Sequence, residues 1–382
     1  MAVRGVYTKE EKKMVADFEK HADMLFGWAK SLPRWVATEE SIKNMALAVD
    51  YWNPLWRDDN YAAGTRWGGI IAPPMYQDCA KPAVAMPEVP PSVGYLTHWY
   101  LGEDWELFKP VRVNDLFKVW RRHPALVDIT SLDGNGPRKF KLVDYDFDVI
   151  NQRDELVNTF KLYIEITIIP EPPTLEMLDT KPDYIYTKEE LEFINRIADE
   201  EEIRGADIRY WEDVSIGEEL RPVVLGPTTI WDQLVFFAGR QELPLLPMRE
   251  LHKSRPEMLQ LDPVTGVTHS DIEWHFSDRQ AQIRGEPRAF HFGALARQLM
   301  ARLVTNWMGD DGFLRKFNWR HLARTAVGDT IVARGKVTDK RVGDDEHLVD
   351  LKVWVENMRG NITEVAIATV SLCSKEAPHK CK

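Results

Sequence analysis

The sequence predicts an α+β chain made of two similar halves. Three observations carry this: a strand–turn–strand pattern that occurs twice, apolar alternation within those strands, and one long, broadly apolar helical segment ahead of them. Internal repeats come first because missing one misassigns the whole architecture.

Val149-Ile150-Asn151-Gln152-Arg153 precedes a run ending Phe160-Lys161-Leu162-Tyr163-Ile164-Glu165-Ile166. Val355-Glu356-Asn357-Met358-Arg359 precedes Ala366-Ile367-Ala368-Thr369-Val370-Ser371-Leu372. Each reads as a strand, a polar turn and a second strand half-buried on one face. Upstream, Val113-Asn114-Asp115-Leu116-Phe117-Lys118-Val119 corresponds to Val327-Gly328-Asp329-Thr330-Ile331-Val332-Ala333. Each half therefore ends in several antiparallel strands.

Phe290 to Trp307 spans about five helical turns. Leu295, Leu299, Leu303 and Trp307 recur every four positions with Ala296 and Met300 alongside, a face broad enough to be buried against a sheet. The matching stretch of the first half begins at Gly69-Ile70-Ile71-Ala72-Pro73-Pro74 and is interrupted by Pro82, Pro87, Pro90 and Pro91. A long antiparallel sheet wrapped around a long central helix, given twice, is a tandem double hot-dog fold. The alternative, an alternating parallel α/β fold, is disfavoured because the strands come in hairpins and no Gly-rich phosphate loop follows any of them.

Two further helices are marked by capping boxes, Thr8 with Glu11 and Thr187 with Glu190, where a hydroxyl and a carboxylate satisfy the first free amides. The second follows the proline-rich Pro170-Glu171-Pro172-Pro173, which reads as the start of a linker. The expected segments are an N-terminal helix in 1–35, a first hot-dog domain in 36–170, a linker with a helix in 171–208 and a second hot-dog domain in 209–382.

At 382 residues the chain has room for two or three domains, and no apolar run approaches the roughly 18 residues needed to span a bilayer. A net charge of −11 disfavours a nucleic-acid surface, which is normally basic. Cys79, Cys373 and Cys381 show no C-x-x-C spacing and are read as reduced thiols of a cytoplasmic protein. The charged stretch Met1 to Lys13 lacks a signal peptide's apolar core. There is no G-x-S-x-G, H-E-x-x-H, Walker loop or G-x-G-x-x-G, and His269 and His275 have no third clustered ligand, so neither a metal nor a cofactor is expected.

Asp50-Tyr51-Trp52-Asn53-Pro54-Leu55-Trp56-Arg57-Asp58, Tyr61-Ala62 and Gly68-Gly69-Ile70-Ile71-Ala72-Pro73-Pro74 resemble the first half of two-domain MaoC-like dehydratases, the (R)-specific enoyl-CoA hydratase family. Trp211 to Glu219, Thr228 to Gly239, His275, Gly293, Thr305 to Gly312 and the strand near Leu314 resemble its second half. The family's catalytic signature is an Asp, an Asn-Pro and a nearby His. The first half keeps Asp50, Asn53 and Pro54 but has Trp56 in the His position, and tryptophan cannot accept a proton. The resemblance therefore implies that Asp50, Asn53 and Trp56 bind substrate rather than catalyse, with the acyl tail accommodated there; an Asp and an Asn-Pro are also an ordinary turn. In the second half His275 takes the His position, Asn-Pro is absent, and the Asp slot falls on Ser270 with Asp271 beside it.

The implied activity is reversible hydration of a 2-enoyl-CoA thioester. That reaction needs a base for water, an acid for the α-carbon and donors for the thioester oxygen. The resemblance assigns His275 as general acid or base, Asp271 as its carboxylate and the Gly293 amide as oxyanion donor. His291 lines the same cavity or caps the helix. A structural histidine, a solvated loop carboxylate and a packing glycine are the alternatives for these three positions. Arg315, Lys316, Arg320 and Arg324 are candidates for coenzyme A phosphates or for a solvated face. A remodelled, bulky or aromatic acyl pocket is expected from Trp56 and from Gln241 to Val267. A non-catalytic acyl-CoA-binding subunit and a thioesterase are the alternative activities, and a homodimer or higher oligomer, with or without a related partner subunit, is expected by analogy.

Overall fold

In the computed structural model the described residues are 2–29, 34–80, 95–169, 183–240, 246–254, 259–262, 264–343 and 346–376. The five longer helices are α1 (Lys9–Leu25), α2 (Glu39–Val49), α3 (Lys188–Asp199), α4 (Ile230–Arg240) and α5 (Gly293–Met308). Eight longer strands are β1 (Tyr95–Leu107), β2 (Arg138–Ile150), β3 (Leu156–Ile169), β4 (Glu219–Leu225), β5 (Phe313–His321), β6 (Ile331–Gly343), β7 (Glu346–Asn357) and β8 (Ile362–Leu372). Both expected capping boxes form, at the starts of α1 and α3.

The long strands belong to one 11-stranded sheet. Its main path runs from the short strands Gly27–Trp28 and Lys118–Arg121 through β2, β3, β1, β5, β8, β7 and β6 to β4. Each neighbouring pair is antiparallel. The fold is thus the expected tandem double hot dog, with the sheets of the two halves continuous through the β1–β5 seam.

The duplication is visible in turn geometry. Between β2 and β3 the Asn151 side chain accepts from the amides of Arg153 and Glu155, and between β7 and β8 Asn357 accepts from Arg359 and Asn361. Asn114 and Gly328, at matching places before their strands, both have positive φ, 68° and 101°. The bridge Ile71–Arg112 repeats as Phe290–Ala326. This last pair aligns the approach to the central helix with its first-half counterpart at a shift of 219 residues, the separation of Asp78 from Arg297.

Every residue of α5 except Gly293 and Arg302 is buried, which explains the wide apolar face in the sequence. The helix starts three residues later than its periodicity predicts. Ala289 to Phe292 run extended instead, with Val327 N–H donating to Ala289 O, His291 N–H to Thr325 O, and Phe292 N–H to the Gln233 side chain. In the first half the described part of the corresponding stretch is a 3₁₀ turn, Tyr76–Ala80, entirely buried; Pro82, Pro87, Pro90 and Pro91 lie outside the described residues. Helix α1 packs Met14, Phe18 and Ala22 onto the core, and α3 sets Ile194 and Ile197 against Val224 and Val332.

Cys373 is disulfide-bonded, which corrects the expectation of reduced thiols, while Cys79 is free and buried. Lack of C-x-x-C spacing excludes a short redox motif only, not a longer closure. Among the described residues no helix is long and apolar enough to cross a membrane.

Gly102 sits at the seam with φ +139°, and a Cβ there would lie 2.1 Å from the Trp319 carbonyl oxygen. Gly217 also has positive φ, +89°, but open space around it. Gly217→Ala is expected to cost about 1 kcal/mol of unfolding free energy from backbone strain. Gly102→Ala should cost about 3 kcal/mol or more. Urea denaturation of both variants checks this; equal midpoints would show that the seam tolerates a side chain.

Candidate functional site

The start of α5 gathers most of the second-half candidates. Phe292, the residue before it, offers no side-chain cap, and the Gly293 amide has no partner among the described residues. Such amides carry the positive end of the helix dipole. Beside them His275 closes a 3₁₀ turn, Asp271–His275, and its ring stacks on Phe292 with centroids 4.0 Å apart.

The His275 Nδ1 lies 2.8 Å from the Phe290 carbonyl oxygen. A carbonyl only accepts, so Nδ1 carries the proton and Nε2 keeps its lone pair. The same carbonyl accepts from Gln233 Nε2 at 2.7 Å, which makes Gln233 on α4 a positioning residue that sequence reasoning missed. Burial, with Arg324, Arg284 and His291 nearby, holds the His275 pKa down at about 3, although the Phe290 carbonyl opposes this.

His291 is buried and carries the opposite tautomer. The Thr228 hydroxyl donates to the Asp329 carbonyl and so accepts from His291 Nε2 at 2.7 Å, which leaves Nδ1 buried and unpaired. Burial lowers its pKa to about 4. Among the described residues no carboxylate contacts His275. Asp271 begins its turn, but its side chain lies outside the described residues.

One buried histidine–carboxylate pair was missed by the sequence reading. His321 Nδ1 lies 2.8 Å from Glu364 Oε1, and Thr363 Oγ1 donates to the other carboxylate oxygen at 2.5 Å. A Cβ built on Gly293 would lie 4.0 Å from His321 Nδ1, so this pair borders the helix start. The pairing depends on the register His321↔Glu364 between β5 and β8; the only local signal is a polar residue at an inward position of each strand.

Asp50, Asn53 and Trp56 form a separate group. Trp56 Nε1 donates to Asp50 Oδ2 at 2.7 Å, and the Asn53 side chain accepts from Leu55 N at 3.1 Å. Trp56 thus supplies an N–H to the carboxylate without being able to accept a proton. Arg302 of α5 stands 3.7 Å from Asp50, nine residues along the helix from Gly293, roughly 13 Å of axial rise. Burial pushes the Asp50 carboxyl up to about 6 despite Arg302 and Trp56. By the 219-residue correspondence Pro74 stands where the second half has Gly293, and proline has no amide hydrogen. The first half therefore lacks both the histidine and the corresponding amide donor. A cleft of about 40 Å³ borders Asn53, Trp56 and Pro74, room for about three waters.

The basic run is already paired. Arg315 meets Glu346, Lys316 meets Glu106, Arg320 meets Asp104 and Arg324 meets Glu286. Among the described residues no group of three or more His, Cys, Asp or Glu is arranged to hold a metal.

Residues 26–160 match the family model described as the FAS1-like dehydratase domain region. A solved MaoC-like dehydratase has 17% identity and a TM-score of 0.61, covering 91% of this chain and 97% of that one. A putative MaoC domain dehydratase from Chloroflexus aurantiacus has 12% identity and a TM-score of 0.52, covering 91% and 94%. A Mycobacterium tuberculosis protein described as having a double hotdog fold has 11% identity and a TM-score of 0.48, covering 88% and 92%. No curated protein matches the sequence significantly. The resemblance read from the sequence is thus shared by a dehydratase family model over the first half and by MaoC-like folds over nearly the whole chain.

His275 and His291 bind protons less readily folded than unfolded, so the folded state is favoured above the ordinary histidine pKa and loses stability as pH falls below 6.5. His291→Phe is expected to flatten the pH dependence of unfolding free energy between pH 6.5 and 4, a change of a few kcal/mol at most. Urea titrations across that range measure it, and an unchanged slope would show that His291 titrates normally.

Proposed function

We propose that this chain is a hydro-lyase that interconverts a 2-enoyl-CoA and a 3-hydroxyacyl-CoA thioester at the start of α5. The observation that carries the reading is His275, held by Phe290 with a free lone pair on Nε2, beside a helix start with no side-chain cap. In this reading Nε2 takes a proton from water as the water oxygen bonds to the β-carbon. The electrons displaced move onto the thioester oxygen, where the Gly293 amide stabilises them. The enolate then takes a proton at the α-carbon from the imidazolium, and the reverse sequence eliminates water.

A histidine held near pKa 3 is a weak base alone, and a carboxylate within reach would raise it. Asp271, four residues earlier, is the proposed source. The alternative reading is that Asp271 does not supply it. A chain without that carboxylate would be an acyl-CoA-binding subunit completed by a second copy or a related partner.

The test follows the absorbance of the enoyl-thioester band over a panel of 2-enoyl-CoAs. Wild type is expected to consume the band, and His275→Ala to slow it by about 10²–10⁴-fold. Binding without turnover by either protein would move the subunit reading ahead, and free thiol released from a saturated acyl-CoA would identify a thioesterase.

A further inference from the structure

We propose that the acyl group handled at the start of α5 carries a hydroxyl beyond its β-carbon, received by His291, His321, Thr325 and Trp99. The proposal rests on the hydro-lyase reading and names the substrate class of that site. None of these four side chains takes part in the proton transfers assigned to His275.

Backbone pairing brings the four together. His291 N–H donates to Thr325 O, and their neighbours Phe290 and Ala326 form an antiparallel bridge. His291 and Thr325 are therefore directly opposed, with side chains on one face. Phe292 points away from that face, because successive residues of an extended segment alternate. His275 stacks on Phe292, so His291 and Thr325 flank the start of α5 on the side across from His275. His321 joins them at the helix start, where a Cβ built on Gly293 would lie 4.0 Å from its Nδ1. The Trp99 ring stands edge-on to the His321 ring, with centroids 6.3 Å apart.

The group is polar and buried, and its own hydrogen bonding is incomplete. His291 is 4% exposed and Thr325 2%. His291 Nδ1, Thr325 Oγ1 and Trp99 Nε1 are each buried with no hydrogen-bond partner among the described residues. His321 donates its Nδ1–H to Glu364, so the neutral ring presents a bare lone pair at Nε2, which has no partner among the described residues. Buried polar atoms are nearly always paired, and each one left alone carries a desolvation cost that a hydrogen-bonding ligand removes.

The kinds of atom select the ligand. His291 Nδ1 and His321 Nε2 only accept, the Trp99 N–H only donates, and the Thr325 hydroxyl does either. A ligand hydroxyl gives its hydrogen to an imidazole nitrogen and accepts from the indole. An alkyl chain satisfies none of these atoms, and a carboxylate would set acceptor against acceptor. A site of this kind rejects the analogue that lacks the hydroxyl, because its own buried groups are then left unpaired.

Isothermal titration of the full chain compares hexanoyl-CoA with its 4-, 5- and 6-hydroxy derivatives. At least one hydroxylated member is expected to bind about tenfold or more tightly than hexanoyl-CoA. Thr325→Val, close to threonine in shape, and His291→Phe should each cut that preference at least about threefold. Thr325→Ser retains a hydroxyl and should retain the preference, which guards against a packing effect. The matching 2-hexenoyl-CoAs, followed at the enoyl band, should show the same order in kcat/KM. Hexanoyl-CoA binding as tightly as every hydroxylated member would overturn the proposal and leave the hydro-lyase reading standing. An equal loss for plain and hydroxylated ligands in Thr325→Val and His291→Phe would overturn it too, by making the group structural. Hydroxyl preference in binding without turnover of any enoyl-CoA would support the hydroxyl site and count against the hydro-lyase reading. No binding of any acyl-CoA would overturn both.

Discussion

Arg297 lies wholly buried in α5, where its guanidinium meets Asp78 at 2.7 Å and also contacts Glu103. Arg240 joins Asp78 from α4, the indoles of Trp105 and Trp319 donate to Glu103 at 2.8 and 3.2 Å, and Tyr100 donates to it as well. Burial works against a charge on Arg297, yet the two carboxylates hold its pKa above the ordinary value. Two cations and two anions balance in a place where any one alone would be costly. Asp78 and Glu103 belong to the first half, and Arg240 and Arg297 to the second. Pulling the halves apart would leave each pair of like charges without its counter-charges. The sheet seam passes beside this cluster, since Glu103 follows Gly102.

With the helix anchored in its first turn and a half, its two ends face different surroundings. The start meets His275, His291 and the His321–Glu364 pair, while Arg302 reaches back to Asp50 and to Glu201. One helix from the second half thus touches both motif regions. The first-half region has become a polar tie: Trp56 binds Asp50 through its indole, and Pro74 stands where an amide hydrogen would be needed.

The repeat was legible because its turns impose local demands. Asn151 and Asn357 cap equivalent hairpin turns, and Asn114 and Gly328 occupy equivalent positive-φ positions. The buried face of α5 was legible from its period, but its first residue was not. Phe290 and Phe292 fit the helical spacing while Gln233 and Thr325 hold their backbone extended. Long-range pairing was invisible. His321 and Glu364 become a pair only through strand register, and Arg297 gives no hint of Asp78. The basic run from Arg315 to Arg324 drew attention in the sequence, yet its charges are matched by Glu346, Glu106, Asp104 and Glu286.

The 219-residue shift that pairs Ile71 with Phe290 also pairs Asp78 with Arg297. The two residues in contact therefore occupy the same position in the two copies of an ancestral unit. A symmetric pair of first halves would set aspartate against aspartate there, and a symmetric pair of second halves would set arginine against arginine. Opposite charge at equivalent positions makes the halves complementary and disfavours either half pairing with its own kind. The chain has the energetics of a heterodimer whose subunits share one backbone: opposite charge at this interface favours the pairing of unlike halves, and each is free to keep a different role.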